Sequence, residues 1–122
     1  MHLSSLRHVL HVEDEVLIAL DVEAALLNAG VQAVTRVASS ADALKTIQMN
    51  QPDVAILDIE VLDGSTAPVA DLLRSKSIPF ILYTGSGVEG AQASFRGAKF
   101  IEKPACDADL VGAVRALTLV TR

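Results

Sequence analysis

A chain of 122 residues with 51% apolar side chains can bury one core and leaves no room for a second domain of ordinary size. Its 15 acidic residues against 10 lysines and arginines, with no basic stripe, argue against nucleic acid as a partner. Cys106 is the only cysteine, which excludes an internal disulfide and a thiolate metal cluster and fits a reducing compartment.

Residues 1–7 read as a polar tail with no apolar h-region behind it, and residues 8–120 as one domain. Every long apolar stretch is broken by charges, so no membrane span and a cytoplasmic location are expected. Val9 to Val12 predicts a short buried strand that runs into Glu13-Asp14-Glu15. Val16 to Ala29 lacks breakers and is rich in Leu and Ala, which predicts a helix stopped by Gly30. Val31 to Val37, β-branched at alternate positions, predicts a second strand. Ser39 or Ser40 can cap a helix from Ala41 to about Met49. The run Val54-Ala55-Ile56-Leu57 is apolar on both faces, as a central parallel strand requires, and ends at Asp58. A loop with Asp63-Gly64 is expected next, then a helix from Thr66 to Ser75 with Pro68 in its first turn. Phe80 to Tyr83 predicts the fourth strand, ending at Thr84, and Lys99 to Glu102 the fifth, closed by Lys103-Pro104. The last helix is expected from Ala105 to about Thr118, with Leu110, Val111, Val114 and Leu117 on one face. Strands alternating with helices imply right-handed crossovers and a parallel sheet covered on both faces.

The polar residues gather at the strand ends. Glu13 and Asp14 follow the first strand, Asp58 the third, Thr84 ends the fourth and Lys103 follows the fifth. An open α/β sheet binds ligands beyond the carboxyl ends of its strands. Three carboxylates meeting there repel one another, and a hard divalent cation such as magnesium would relieve that. Such a set suits moving a phosphoryl group onto a carboxylate. Asp58 would be the nucleophile, with the metal and Lys103 neutralising charge on the phosphoryl oxygens and Thr84 donating to one of them. No glycine-rich nucleotide loop is present; the first strand leads into acids instead. Taken singly, each of these residues has an ordinary reading as a cap, a turn or a strand residue. Their order on successive strands carries the argument.

With Val-Glu-Asp-Glu at 12–15, Pro-Asp-Val-Ala-Ile-Leu-Asp-Ile at 52–59, Tyr-Thr-Gly at 83–85 and Phe-Ile-Glu-Lys-Pro at 100–104, the chain resembles the CheY-like receiver domains of bacterial response regulators, in particular stand-alone proteobacterial ones. The resemblance spans about residues 8–120. It implies a flavodoxin-like fold, a five-stranded parallel sheet of order 2-1-3-4-5. It further implies that Asp14 and Asp58 bind Mg2+ directly, that Glu13 acts through a water, and that Glu60 gives a backbone carbonyl. Lys103 becomes the phosphate-binding lysine, Thr84 the switch hydroxyl and Phe100 the aromatic switch. The partner would be a sensor histidine kinase or a histidine phosphotransfer protein, and the chemistry is limited to phosphorylation and dephosphorylation of Asp58.

Three departures from the family pattern stand out. Glu60 is acidic, Val61-Leu62-Asp63-Gly64 replaces the usual Met-Pro, and residues 85–98 hold four glycines. The helix between the fourth and fifth strands is therefore expected to be short or irregular, and 85–97 to be the most mobile internal segment.

Two other functions compete. One is a receiver fold that binds proteins without being phosphorylated. The other is a small magnesium-dependent aspartyl phosphatase of the haloacid-dehalogenase type, which would need an Asp where Glu60 stands. His11 reads as a packed histidine and not a ligand, His8 as a solvated or strand-start residue, and Cys106 as a small helix residue. In the first helix, Ile18, Val22, Ala25, Leu26 and Ala29 supply a stripe for the sheet. A second stripe of Leu17, Leu20, Ala24 and Leu27 is either partly buried or a docking face for the phosphodonor, open also to a homodimer.

Overall fold

The computed structural model describes residues 3–85 and 93–121, with side chains as far as Thr118. Five parallel strands form one sheet: β1 (His8–Val12), β2 (Ala33–Val37), β3 (Val54–Leu57), β6 (Phe80–Thr84) and β7 (Lys99–Glu102). Their order is β2-β1-β3-β6-β7, with every pair parallel. Strands β4 (Glu60–Val61) and β5 (Gly64–Ser65) make a small antiparallel hairpin apart from it.

The central strands carry apolar residues at consecutive positions because both of their faces are covered. Val9, Val54, Ile56, Ile81 and Tyr83 pack on one face beneath α1 (Val16–Asn28) and α4 (Asp107–Thr121), which contribute Val22, Leu26, Leu110 and Val114. Leu10, Val12, Ala55, Leu57 and Leu82 pack on the other beneath α2 (Ser40–Met49) and α3 (Ala67–Ser75), through Ala43, Ile47, Val69 and Leu73. Leu26 is fully buried, and its truncation to Ala would cost about 2–5 kcal/mol.

Several expectations are corrected. The second strand starts at Ala33, not Val31, because the Val31 and Gln32 amides turn back to Leu26 O and Leu6 O. Gly30 makes that turn at φ 109°, where a Cβ would meet the Ser4 backbone nitrogen at 3.2 Å. The expected Asp63-Gly64 loop is the turn of the β4-β5 hairpin, with Gly64 at φ 109°. The last helix begins at Asp107, since the Ala105 amide donates to the Tyr83 hydroxyl at 3.1 Å, and it reaches Thr121. Cys106 thus stands just before that helix, exposed. Of the two readings of His8 the strand-start one holds: it opens β1 and is buried, with Nε2 2.7 Å from Thr35 Oγ1.

Between β6 and β7 the described residues form one 3-10 turn, Ala93–Phe95; the rest of the segment where a short or irregular helix is expected lies outside the described residues. Arg74 fastens the turn: its guanidinium donates to Ser94 O at 3.0 Å and Arg96 O at 2.6 Å while lying over the Phe80 ring. The expected mobility of 85–97 falls mainly on residues 86–92, which lie outside the described residues. Among the described residues, no helix is long and apolar enough to cross a membrane.

Candidate active site

Strands β1 and β3 are neighbours and end level with each other, so the residues just past them meet. The Asp58 amide donates to Val12 O at 3.1 Å and the Glu13 amide to Val37 O at 2.9 Å, which continues the ladder one residue beyond the strands. Glu13, Asp14 and Asp58 each place one carboxylate oxygen within 4.8 Å of the others. Lys103 arrives from the end of β7, held there by its amide on Thr84 O at 2.9 Å. Its Nζ lies 2.7 Å from Asp58 Oδ2 and 2.5 Å from Glu13 Oε1.

The second oxygens of Asp58 and Glu13 are also engaged. Asp58 Oδ1 accepts from the Ile59 amide at 2.8 Å, and Glu13 Oε2 from the Glu15 amide at 3.1 Å. Burial pushes the Glu13 carboxyl up. The hydrogen bond from Lys103 opposes that without cancelling it, and the Asp58 charge adds to the rise. For Lys103, burial alone would lower the ammonium's pKa, but two carboxylates outweigh it and hold the group above its ordinary value. Three carboxylates against one ammonium leave an excess of negative charge, and Asp14 and Asp58 are only half-buried. The donor set therefore fits a divalent cation bound by hard oxygens.

Of the residues singled out from sequence, the structure brings together Glu13, Asp14, Asp58 and Lys103. Thr84 is buried at the end of β6, one strand from Asp58. Phe100 is half-buried beside Leu82 and packs on the α2-α3 side of the sheet. The Glu60 side chain is exposed on the hairpin and its carboxylate is not in the acidic cluster.

Two supports were not foreseen. Thr66, which precedes α3, sends its hydroxyl to Asp58 O at 2.6 Å and not to its own helix. Asp63, at the hairpin turn, accepts from the Ser40 and Ala41 amides at 2.7 and 3.0 Å, so it caps α2 from outside. Only the Thr-x-Pro pattern before α3 hinted at the first. The second joins residues 23 apart and leaves no local signal.

A family model for the response regulator receiver domain matches residues 9–115. The chain is similar to SdrG from Sphingomonas melonis at 33% identity and TM-score 0.81, covering 95% of this chain and 99% of that one. It is similar to a response regulator receiver protein from Sinorhizobium medicae at 27% identity and TM-score 0.84, covering 95% and 97%. A protein-glutamate methylesterase/protein-glutamine glutaminase 1 from Paramagnetospirillum magneticum is 37% identical over 93 residues, or 70% of this chain. This chain spans about a quarter of that relative's length (24%), and the activities in its name are that protein's.

Proposed function

This chain belongs to the response regulator receiver domain family, and on that premise we propose that Asp58 takes a phosphoryl group from a phosphohistidine and that the domain responds through Thr84 and Phe100. Membership implies partnership with a histidine kinase or phosphotransfer protein in general, and the acidic cluster is consistent with the phosphoacceptor chemistry of two-component signalling. The observation that carries the reading is Lys103 Nζ bridging Glu13 and Asp58, at 2.5 and 2.7 Å.

An Asp58 carboxylate oxygen attacks phosphorus in line as the phosphorus–nitrogen bond of the phosphohistidine breaks, and the leaving imidazole keeps the bonding pair. Lys103 moves from the carboxylate to a phosphoryl oxygen and neutralises charge there. Magnesium, held by Asp14 and Asp58 with Glu13 acting through water and Glu60 offering its carbonyl, would supply the remaining positive charge. Thr84 donates its hydroxyl to a phosphoryl oxygen, and Phe100 follows it inward. Return to the ground state is attack of water on the same phosphorus as its bond to the Asp58 oxygen breaks, which frees the carboxylate and releases inorganic phosphate. The chemistry is that of self-phosphorylation and dephosphorylation, not turnover of a separate substrate.

The docking face proposed for the donor is α1. Val16, Leu17, Leu20 and Leu27 are exposed, Leu17 to 78%. Beside them a groove of about 240 Å³, lined by Ile18, Val22, Tyr83, Lys103, Pro104 and Leu110, leads to the site. A helical donor laid on Leu17, Leu20 and Ala24 would bring its histidine to Asp58. A second copy of the chain on the same stripe would compete with it. The reducing compartment that a lone, exposed Cys106 fits is the cytoplasm.

Intact mass after incubation with acetyl phosphate and magnesium tests the reading. Wild type gains one phosphoryl group; a folded Asp58→Asn gains none. Labelling of that variant at the wild-type rate would remove Asp58 as acceptor.

A further inference from the structure

His11 is a buried polar side chain that the chemistry above leaves without a use. It stands two residues before Glu13, so ring and carboxylate share one face of the chain at the end of β1. Both side chains are wholly inaccessible to solvent, and Nε2 lies 4.0 Å from Glu13 Oε1. That separation is too long for a hydrogen bond. Among the described residues, neither ring nitrogen has a hydrogen-bond partner. The imidazole offers an N–H from whichever ring nitrogen carries the proton.

Glu13 holds its own two oxygens by different means. Oε2 accepts the Glu15 amide, a backbone group that stays where it is. Oε1, buried and without a hydrogen-bond partner among the described residues, is held only by its ion pair with Lys103, the group shared with Asp58. If Lys103 turns toward a phosphoryl group, the buried Oε1 loses its ion pair, and a buried carboxylate stripped of its partner is strongly disfavoured. The nearby unused donor is the His11 ring, with Nε2 4.0 Å away.

We propose that His11 is a positioning residue for Glu13: when phosphorylation draws Lys103 away, the Nε2–H of His11 becomes the donor that holds Glu13 Oε1 in place. No proton is transferred; a hydrogen bond takes the place of an ion pair. The inference rests on the phosphoacceptor reading, which supplies the event that moves Lys103. Glu13 thereby keeps one orientation toward the metal site in both states.

The test reads the imidazole nitrogens of His11 by 15N NMR in two settings. One is wild type with magnesium and beryllium fluoride, a stable mimic of an acyl phosphate. The other is Lys103→Met with neither added. In both, His11 adopts the Nε2–H form, with that proton moved downfield and slowed in exchange. Beryllium fluoride that perturbs the Asp58 and Ile59 amides while His11 stays unchanged overturns the proposal. Loss of the response at Asp58 itself, with no mass gain from acetyl phosphate, locates the failure in the phosphoacceptor reading and removes the handover with it. A second measurement is magnesium affinity in the presence of beryllium fluoride. His11→Leu weakens it about tenfold. His11→Gln, whose amide nitrogen lies near the place of Nε2, restores most of it, and His11→Asn does not. Equal affinity in wild type and His11→Leu overturns the proposal.

Discussion

Helices α1 and α2 flank the acidic centre from opposite faces of the sheet, and their first turns are finished in opposite ways. Glu15 precedes α1 and makes no side-chain cap, and the next two residues, Val16 and Leu17, are exposed apolar side chains. The start of α2 is tied down three times: Ser39 Oγ accepts from the Asp42 amide, Asp63 takes the Ser40 and Ala41 amides, and Ser40 Oγ donates to Ser65 O. Those last ties come from the hairpin that follows Asp58, and Thr66 closes the path with its hydroxyl on Asp58 O. The α1 side offers apolar surface beside the site with little to satisfy it from within. The α2 side is tied to Asp58 through hydrogen bonds. One flank leaves apolar side chains open beside the acidic cluster, and the other is linked to Asp58 by polar contacts.

The largest expected effect lies on the α1 flank. Leu17→Asp and Leu20→Asp, made separately, slow transfer from a phosphohistidine partner by well over about tenfold, the scale on which central apolar contacts of an interface act. Labelling by acetyl phosphate is unchanged. Equal loss of both activities would make the leucines structural. Unimpaired transfer in folded variants would move the docking face elsewhere and dissolve the contrast between the flanks.

The effect of next size concerns the centre between them. At about 100 times its dissociation constant, magnesium stabilises the native state by about 2.7 kcal/mol. Thermal melts of wild type should therefore rise with added magnesium, and those of Asp14→Ala should not. A parallel rise in both would place the ion outside the cluster of Glu13, Asp14 and Asp58.

The centre was more legible in the sequence than its flanks, for physical reasons. A strand buried on both faces must be apolar throughout, so Val54 to Leu57 announces itself, and the charged residue ending the run stands out. Parallel strands deliver such residues to one edge, so Asp14, Asp58 and Lys103 could be brought together without knowing any distance. The apolar stripe of α1 was readable from its period, and Val22, Ala25, Leu26 and Ala29 are buried as expected. The phase of the second stripe was not fixed, and the exposure of Leu17, Leu20 and Leu27 settles it. The hairpin stayed hidden, since two-residue strands have no period. The cap from Asp63 stayed hidden because its partners lie on another helix. Ala105 fell outside its expected helix for a similar reason: a tertiary hydrogen bond to Tyr83 outweighs its high propensity.

The smallest effect, and the sharpest probe of the α2 flank, is the pH dependence of the Asp63 cap. Two backbone amides donate to this carboxylate, and they hold its pKa below the ordinary aspartate value of 3.8. The charged form is thus favoured by folding. Between the lowered value and 3.8 the unfolded chain binds the proton more readily than the native one, so stability rises with pH across that window. The contribution is whole above 3.8 and is lost as pH falls through the native value. Asp63→Ala removes it. Its melting temperature should lie below that of wild type by the same margin from neutral pH down to about 5, since a carboxylate of this kind stays ionised there. Under more acid conditions the margin should shrink, because wild type loses the same hydrogen-bond acceptor by protonation. The other carboxylates titrate in both proteins and cancel in the difference. A margin that persists unchanged at about pH 3, where ordinary aspartates are protonated, would mean that Ala disturbs the hairpin itself. The link between α2 and Asp58 would then run through the Ser40–Ser65 and Thr66–Asp58 hydrogen bonds.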